Sequence, residues 1–244
     1  MNDSTLIDDL FDRPSGPVRP FEFDADVARV FPDMVRRSVP GYAELVGMSG
    51  LIARRAARPG THCYDLGCSL GAVTRSILRQ VEADVRLIAV DNAPAMIEGL
   101  QARLADVPHA ERVEPLCADV RDVAIENASF VVLNLTLQFI PPESRLDLLT
   151  RIREGLVPGG VLMLAEKVLI PEDRGGRFMI QLHEDFKRAN GYSEMAISGK
   201  RTALERVLVP DSVETHEARL GAAGFAGVGR WFQSLNFVAW VAWI

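Results

Sequence analysis

Between residues 61 and 165 the hydrophobic pattern keeps changing period, as short, mostly apolar runs alternate with longer stretches whose apolar positions recur every three or four residues. The runs 61–66, 85–90, 113–117, 130–135 and 161–165 have the length and apolar content of strands covered on both faces. The stretches 72–79, 94–104 and 143–155 predict helices between them, and a turn follows the third run. Asn92 is placed to cap the helix that Pro94 opens, and Leu156-Val157-Pro158-Gly159-Gly160 to end one helix ahead of the fifth strand. Right-handed crossovers then leave a doubly wound, mostly parallel α/β sheet as the expected fold.

The flanks follow other rules. Residues 1–20 are aperiodic and contain proline, which predicts a mobile arm ahead of a single domain, 21–244. Two helical patterns occupy 24–37 and 41–57, within an N-terminal helical segment 21–58, and Val39-Pro40-Gly41 breaks them apart. In the second, Leu45, Met48, Leu51 and Ile52 recur at helical spacing and predict a core-facing stripe. After Glu166 the alternation stops. The polar insertion 171–210 has helical stretches at 177–189 and 200–207, and its place after a strand's carboxyl end predicts a helical lid over a site. A helix at 212–222 and two apolar segments joined near Ser234 complete the chain. They predict an antiparallel terminal pair with Trp231, Trp240 and Trp243 packing on the sheet, seven strands in all.

Composition narrows the function classes. With 244 residues, 48% hydrophobic and 25% charged, the chain can bury one sizeable core. The formal charge of −6 argues against wrapping nucleic acid directly but permits a small anionic substrate. No apolar run approaches the roughly 20 residues of a membrane span, and residues 1–4 lack the basic and apolar regions of a signal peptide, so a cytoplasmic location without membrane contact is expected. Cys63, Cys68 and Cys117 have no zinc-site spacing. They are expected to be reduced, structural thiols, with no metal bound.

The candidate chemistry centres on Tyr64-Asp65-Leu66-Gly67-Cys68-Ser69-Leu70-Gly71, a strand end, a tight turn and a helix start. Ser69 stands where G-x-G-x-x-G has its second glycine, so a dinucleotide pyrophosphate fits poorly and a cofactor without phosphate fits better. Asp91 follows Gly71 at about the 20-residue spacing that gives ribose hydroxyls an acceptor in doubly wound folds. Asp91-Asn92 and Ala118-Asp119-Val120 end the second and third strands, and Asn134 ends the fourth. Asp119 is placed to accept from an adenine amino group and Val120 to pack on the ring. The alternative for each is a helix cap or turn residue.

In order, a glycine turn after strand one, acids after strands two and three, Pro-Gly-Gly before strand five and a terminal antiparallel pair resemble the class I S-adenosyl-L-methionine (SAM)-dependent methyltransferase fold over 41–244. Further runs are similar to the carboxy-S-adenosyl-L-methionine (carboxy-SAM) synthase family. They are Val30-Phe31-Pro32-Asp33-Met34, Arg37-Ser38-Val39-Pro40-Gly41-Tyr42, Glu126-Asn127-Ala128-Ser129, Leu137-Gln138-Phe139 and His183-Glu184-Asp185-Phe186-Lys187-Arg188-Ala189-Asn190-Gly191-Tyr192-Ser193-Glu194. The likeness continues through Lys200-Arg201 and Asp211-Ser212-Val213-Glu214-Thr215-His216, whereas 174–180 diverges.

That resemblance implies an enzyme that converts SAM and prephenate to carboxy-SAM and phenylpyruvate, acts as a homodimer, and supplies a separate tRNA uridine carboxymethyltransferase that modifies the wobble base. It implies SAM contacts at Tyr42, Gly67, Cys68, Ser69, Asp91, Asn92, Asp119, Val120, Asn134 and Arg201, with Val120 replacing an expected isoleucine. Arg201 and Tyr42 are the implied catalytic residues, Arg201 because a guanidinium holds a carboxylate by two parallel bonds. Lys187 and Arg188 are weaker candidates for a second prephenate carboxylate, and His183 and His216 for a general base. An ordinary SAM-dependent methyltransferase and a non-catalytic SAM-binding subunit are the competing readings.

Overall fold

Two helices, α1 (Ala25–Ser38) and α2 (Tyr42–Ala56), precede the alternating region, which folds as β1 (His62–Leu66), α3 (Ala72–Gln80), β2 (Arg86–Asp91), α4 (Pro94–Leu104), β3 (Val113–Cys117), β4 (Ala128–Asn134), α5 (Arg145–Gly155) and β5 (Leu156–Lys167). The lid helices α6 (Arg174–Ala189) and α7 (Glu194–Leu204) follow, then α8 (Val213–Ala222), β6 (Gly227–Ser234) and β7 (Phe237–Trp243). This computed structural model describes residues 6–12, 20–205 and 207–244.

The strands form one sheet of seven in the order β3-β2-β1-β4-β5-β7-β6. The first five are parallel, and β7 runs antiparallel to both β5 and β6. This is the expected doubly wound sheet with its terminal antiparallel pair. The strand order reverses between β1 and β4, so the carboxyl ends of these strands flank the crevice where such sheets hold ligands.

Alternation along the strands divides the core. Val131 and Leu133 of β4 face α5 and α8 with Leu148, Leu149, Ile152 and Trp240. Phe130 and Val132 face α2, α3 and α4 with Leu45, Ile77 and Leu100. Burying these side chains stabilises the fold by roughly 1.5–3 kcal/mol each before entropy is counted. Among the five parallel strands, β3 departs from coverage on both faces, because it lies at the sheet edge and leaves Leu116 exposed.

Several local expectations are corrected. The N-cap of α4 is Ala93 without a side-chain bond, so Asn92 does not cap it. In α2, Met48 and Leu51 are exposed, and the buried face is Leu45, Ser49, Gly50, Ala53 and Ala56. Small residues win there because the helix packs backbone-close on α3, where a Cβ on Gly50 would lie 2.5 Å from the Ser76 carbonyl oxygen. The second lid helix begins at Glu194, since the Ser193 side chain accepts from the Ala196 N–H. Trp240 is fully buried, but Trp243 is 44% exposed at the end of β7.

The lid is tied down at its C-terminal end and at the turn between its two helices. Buried Arg145 of α5 donates to the carbonyls of Ile140 and Val209, both at 2.8 Å, and to Asp211 at 2.5 Å. At the turn between α6 and α7, residues 6–12 of the expected mobile arm are docked. Asp8 is buried, its N–H donates to Asp33 at 2.9 Å, and its carboxylate accepts from the Tyr192 hydroxyl beyond α6. The remainder of the arm, 1–5 and 13–19, lies outside the described residues.

Candidate active site

A cavity of about 720 Å³ opens over the carboxyl ends of the parallel strands and beneath α6 and α7. Its floor begins at the β1 turn. Gly67 has φ +82°, and a Cβ there would lie 2.2 Å from Thr136 Oγ1, so only glycine lets the β1 and β4 turns approach. Ser69 also takes a left-handed φ of 48°, held by its N–H donating to Asp91 Oδ2 at 2.9 Å. The N–H groups of Gly67 and Cys68 donate to the Val90 carbonyl. These three N–H groups are engaged, so the turn offers a ligand its shape rather than free donors there.

Asp91 ends β2 and accepts a second backbone bond, from the Ala93 N–H at 3.0 Å. Burial pushes its pKa up. Each carboxylate oxygen has a further lone pair for a ribose hydroxyl. Next to it lies Asp65, buried, accepting from Thr74 Oγ1 at 2.6 Å and pushed up to about 7 by burial. The sequence reading assigned no role to Asp65, although its place just before the glycine turn put it at the strand's carboxyl end. Tyr42, opening α2, lines the same floor, and burial together with the Asp65 charge raises its phenol pKa.

Farther along the edge, Asp119 accepts from Arg121 Nε at 3.0 Å and Nη2 at 2.7 Å, which holds its pKa below the usual carboxylate range. A purine amino group there would share the carboxylate with Arg121. Val120 is buried in the core cluster beneath, and Asn134 at the end of β4 has a buried Oδ1 without a hydrogen-bond partner among the described residues. An orphaned acceptor in a cavity wall is suited to a ligand donor.

All ten residues expected at the SAM site, Tyr42, Gly67, Cys68, Ser69, Asp91, Asn92, Asp119, Val120, Asn134 and Arg201, line this one cavity. Arg201 comes down from α7 and is ion-paired with Glu184 of α6. Lys187 also lines the cavity, whereas Arg188, one residue on, turns outward to Asp185 and Glu194. His183 Nε2 donates to the Ser38 carbonyl at 2.8 Å. Burial and Lys187 push its pKa down to about 4, so it is neutral and a poor base near pH 7. His216 packs beside Trp240 at 5.2 Å, outside the cavity.

Further cations that the sequence did not single out also line the cavity, among them two lysines. Lys167 ends β5, and Lys200 of α7 donates to Ser38 Oγ at 2.9 Å and lies 3.6 Å from Asp8. Cys63 and Cys68 are buried and Cys117 is exposed. No group of three or more His, Cys, Asp or Glu suited to a metal occurs among the described residues.

Comparison with known proteins shows what the whole chain is similar to. A family model described as a methyltransferase domain matches residues 64–160. The carboxy-S-adenosyl-L-methionine synthase of Geobacter sp. strain M21 is 51% identical over 237 residues, 96% of this chain and 97% of that relative. The protein of the same name from Escherichia coli O1:K1 is 50% identical over 236 residues, 96% of each. Among solved structures, an O-methyltransferase family 2 protein from Planctomyces limnophilus in complex with apigenin superposes with TM-score 0.61 at 17% identity, covering 90% of this chain and 61% of that one. Human N-acetylserotonin methyltransferase in complex with SAM gives TM-score 0.59 at 17% identity, over 90% of this chain and 55% of that one. At such identities the structures speak for the fold alone, which is the class I methyltransferase fold.

Proposed function

This chain belongs to the carboxy-S-adenosyl-L-methionine synthase family, and from that premise we propose that it makes carboxy-SAM from SAM with prephenate as the carboxyl donor, releasing phenylpyruvate. The adenosine end of SAM lies along Asp91, Asp119 and Val120, and the methionine end near Tyr42, Asn134 and the β1 turn. Prephenate occupies the space between that edge and the lid. The observation that carries the reading is one cavity with carboxylates along β1 to β3 and a lid that lowers Arg201 and Lys187 onto it.

The chemistry asks little of a protein base. Aromatisation of prephenate expels its ring carboxyl as CO2 and its ring hydroxyl as hydroxide. Hydroxide takes a proton from the sulfonium methyl of SAM, forming water, and the resulting ylide adds to CO2 to give the new carboxylate. Among the described lining residues the imidazole is His183, which is neutral through its depressed pKa, and this accords with that route. What the protein supplies is proximity, exclusion of water and fixed positive charge. Arg201 receives the transferred carboxylate, replacing the Glu184 carboxylate it pairs with here.

The product serves a separate tRNA uridine carboxymethyltransferase; the net charge of −6 favours a small-molecule step over direct tRNA binding. The enzyme works in the cytoplasm as a homodimer. No helix of the described residues is long and apolar enough to cross a membrane, and exposed Phe178 and Leu182, one helical turn apart, give α6 an apolar surface for a second copy.

Incubation with SAM and prephenate should yield a species heavier than SAM by one CO2 unit in mass spectrometry. S-adenosylhomocysteine as the turnover product would instead mark an ordinary methyltransferase. Arg201→Ala should lower carboxy-SAM formation by about a hundredfold or more, the scale of losing one preorganised contact to developing charge, while calorimetry still detects SAM binding. Normal turnover of that variant would remove Arg201 from the mechanism.

A further inference from the structure

The cations under the lid differ in one respect that the family likeness does not supply. Arg201 is paired with Glu184, Arg188 with Asp185 and Glu194, and Lys200 with Asp8. Lys167 and Lys187 also face the cavity, and among the described residues neither ammonium group has an ion pair or a hydrogen-bond partner, the Lys167 bond to Gln138 Oε1 coming from its backbone N–H. They lie close enough that Lys167 lowers the pKa of Lys187, which burial chiefly and this neighbour together push down to about 8. Burial, and then Arg201, lower that of Lys167 as well. The imidazole nearest them, His183, is neutral and brings no negative charge. Glu184, the acid that α6 contributes to the cavity, is engaged by Arg201 and by Arg188 at 3.4 Å.

Two half-buried ammonium groups facing one space without a counter-ion are costly unless an anion joins them. The topology says which anion has the reach. The carboxylates that suit adenosine end β1, β2 and β3, whereas Lys167 ends β5, two strand positions from β1 across β4. At about 4.8 Å per strand, that puts Lys167 roughly 10 Å from the cofactor turn, on the side away from the adenine edge, with Lys187 of α6 near enough for the two charges to interact.

We propose that Lys167 and Lys187 form a second carboxylate subsite, which holds the 2-oxo acid carboxylate of the donor while Arg201 takes the carboxylate that is transferred. The inference rests on the reading of the donor as a dicarboxylate. It assigns each carboxylate its own cation, so a molecule with only one is bound at one end and left unaligned at the other. The subsite makes no bond to the reacting atoms. It selects the donor and sets the distance between its ring and the sulfonium methyl.

Lys187→Met and Lys167→Met, tested singly in the full chain, should each raise KM for prephenate about tenfold to a hundredfold, as expected for losing a charged hydrogen-bond partner, with the SAM dissociation constant in calorimetry unmoved. A prephenate amidated at the side-chain carboxylate should show a similar penalty with the wild-type enzyme, and little further penalty with Lys187→Met, because the two changes remove one interaction. The wild-type KM for prephenate should also rise as pH passes about 8, where Lys187 loses its proton, and this rise should vanish in Lys187→Met. Unchanged KM in both variants would overturn the subsite. So would a loss of SAM affinity, which would give the lysines to the methionine carboxylate instead. If wild-type enzyme makes no carboxy-SAM from prephenate at all, the donor assignment itself fails, an outcome visible before any variant is made.

Discussion

At the scale of single residues, Asp91 does two things with one carboxylate. It fixes Ser69 in the left-handed region and aligns Ala93, and it presents its remaining lone pairs to the cavity. Asp91→Ala should therefore weaken SAM binding by about tenfold to a hundredfold in calorimetry, from the loss of charge-assisted bonds. Unchanged affinity would mean that this edge does not hold the ribose. Asp91 was legible in advance because its spacing from Gly71 is a consequence of one helix and one strand, the same in any doubly wound fold. Lys167 was not, because a lysine after a buried strand looks like the first solvated residue of a loop. Lys187 and Arg188 could not be ranked either. Consecutive helical residues differ by about 100° in direction, and only the packing of α6 decides that Lys187 points inward and Arg188 outward.

At the scale of elements, the strands and the helices between them were readable because short apolar runs, buried on both faces, alternate there with longer stretches of period 3.6. The stripe on α2 was misread for a physical reason. Its apolar residues Met48 and Leu51 suggested a leucine-rich contact, but the close approach to α3 selects glycine, serine and alanine, which carry no strong hydrophobic signal. That approach is testable. Gly50→Val puts a side chain 2.5 Å from the Ser76 carbonyl oxygen, and overpacking of this kind costs about 1–3 kcal/mol. Thermal unfolding should show a midpoint lower by several degrees, at roughly 2–4 °C per kcal/mol for a chain of this size. Because α2 begins with Tyr42, SAM affinity should fall in the same variant. An unchanged melting temperature would mean that α2 can shift without strain.

At the scale of the whole molecule, the buried ionisable groups pull stability in opposite directions with pH. His183 and His216 have folded-state values pushed down to about 4 from 6.5, so the stability they contribute is complete above 6.5 and is lost as pH falls towards 4. Asp65 and Glu166 are raised by burial to about 7 and about 8, so their contribution is complete below the unfolded values of 3.8 and 4.5 and is lost as pH rises through 7 and 8. Between about pH 4.5 and 6.5 the two pairs oppose each other, which predicts a plateau, followed by a decline from 6.5 to 8. His216 is the group to isolate. It is remote from the cavity, both ring nitrogens lack hydrogen-bond partners, and its neighbours are Trp240, Asp211, Arg219 and Arg145. His216→Phe keeps the ring against Trp240 and removes the proton that the unfolded chain would bind. On acidification from pH 7 to 5 the variant should gain roughly 2 kcal/mol relative to the wild type, the linkage expected for one histidine shifted this far. Denaturant midpoints across that interval measure the difference directly, and parallel curves for the two proteins would show that His216 is not held neutral in the fold.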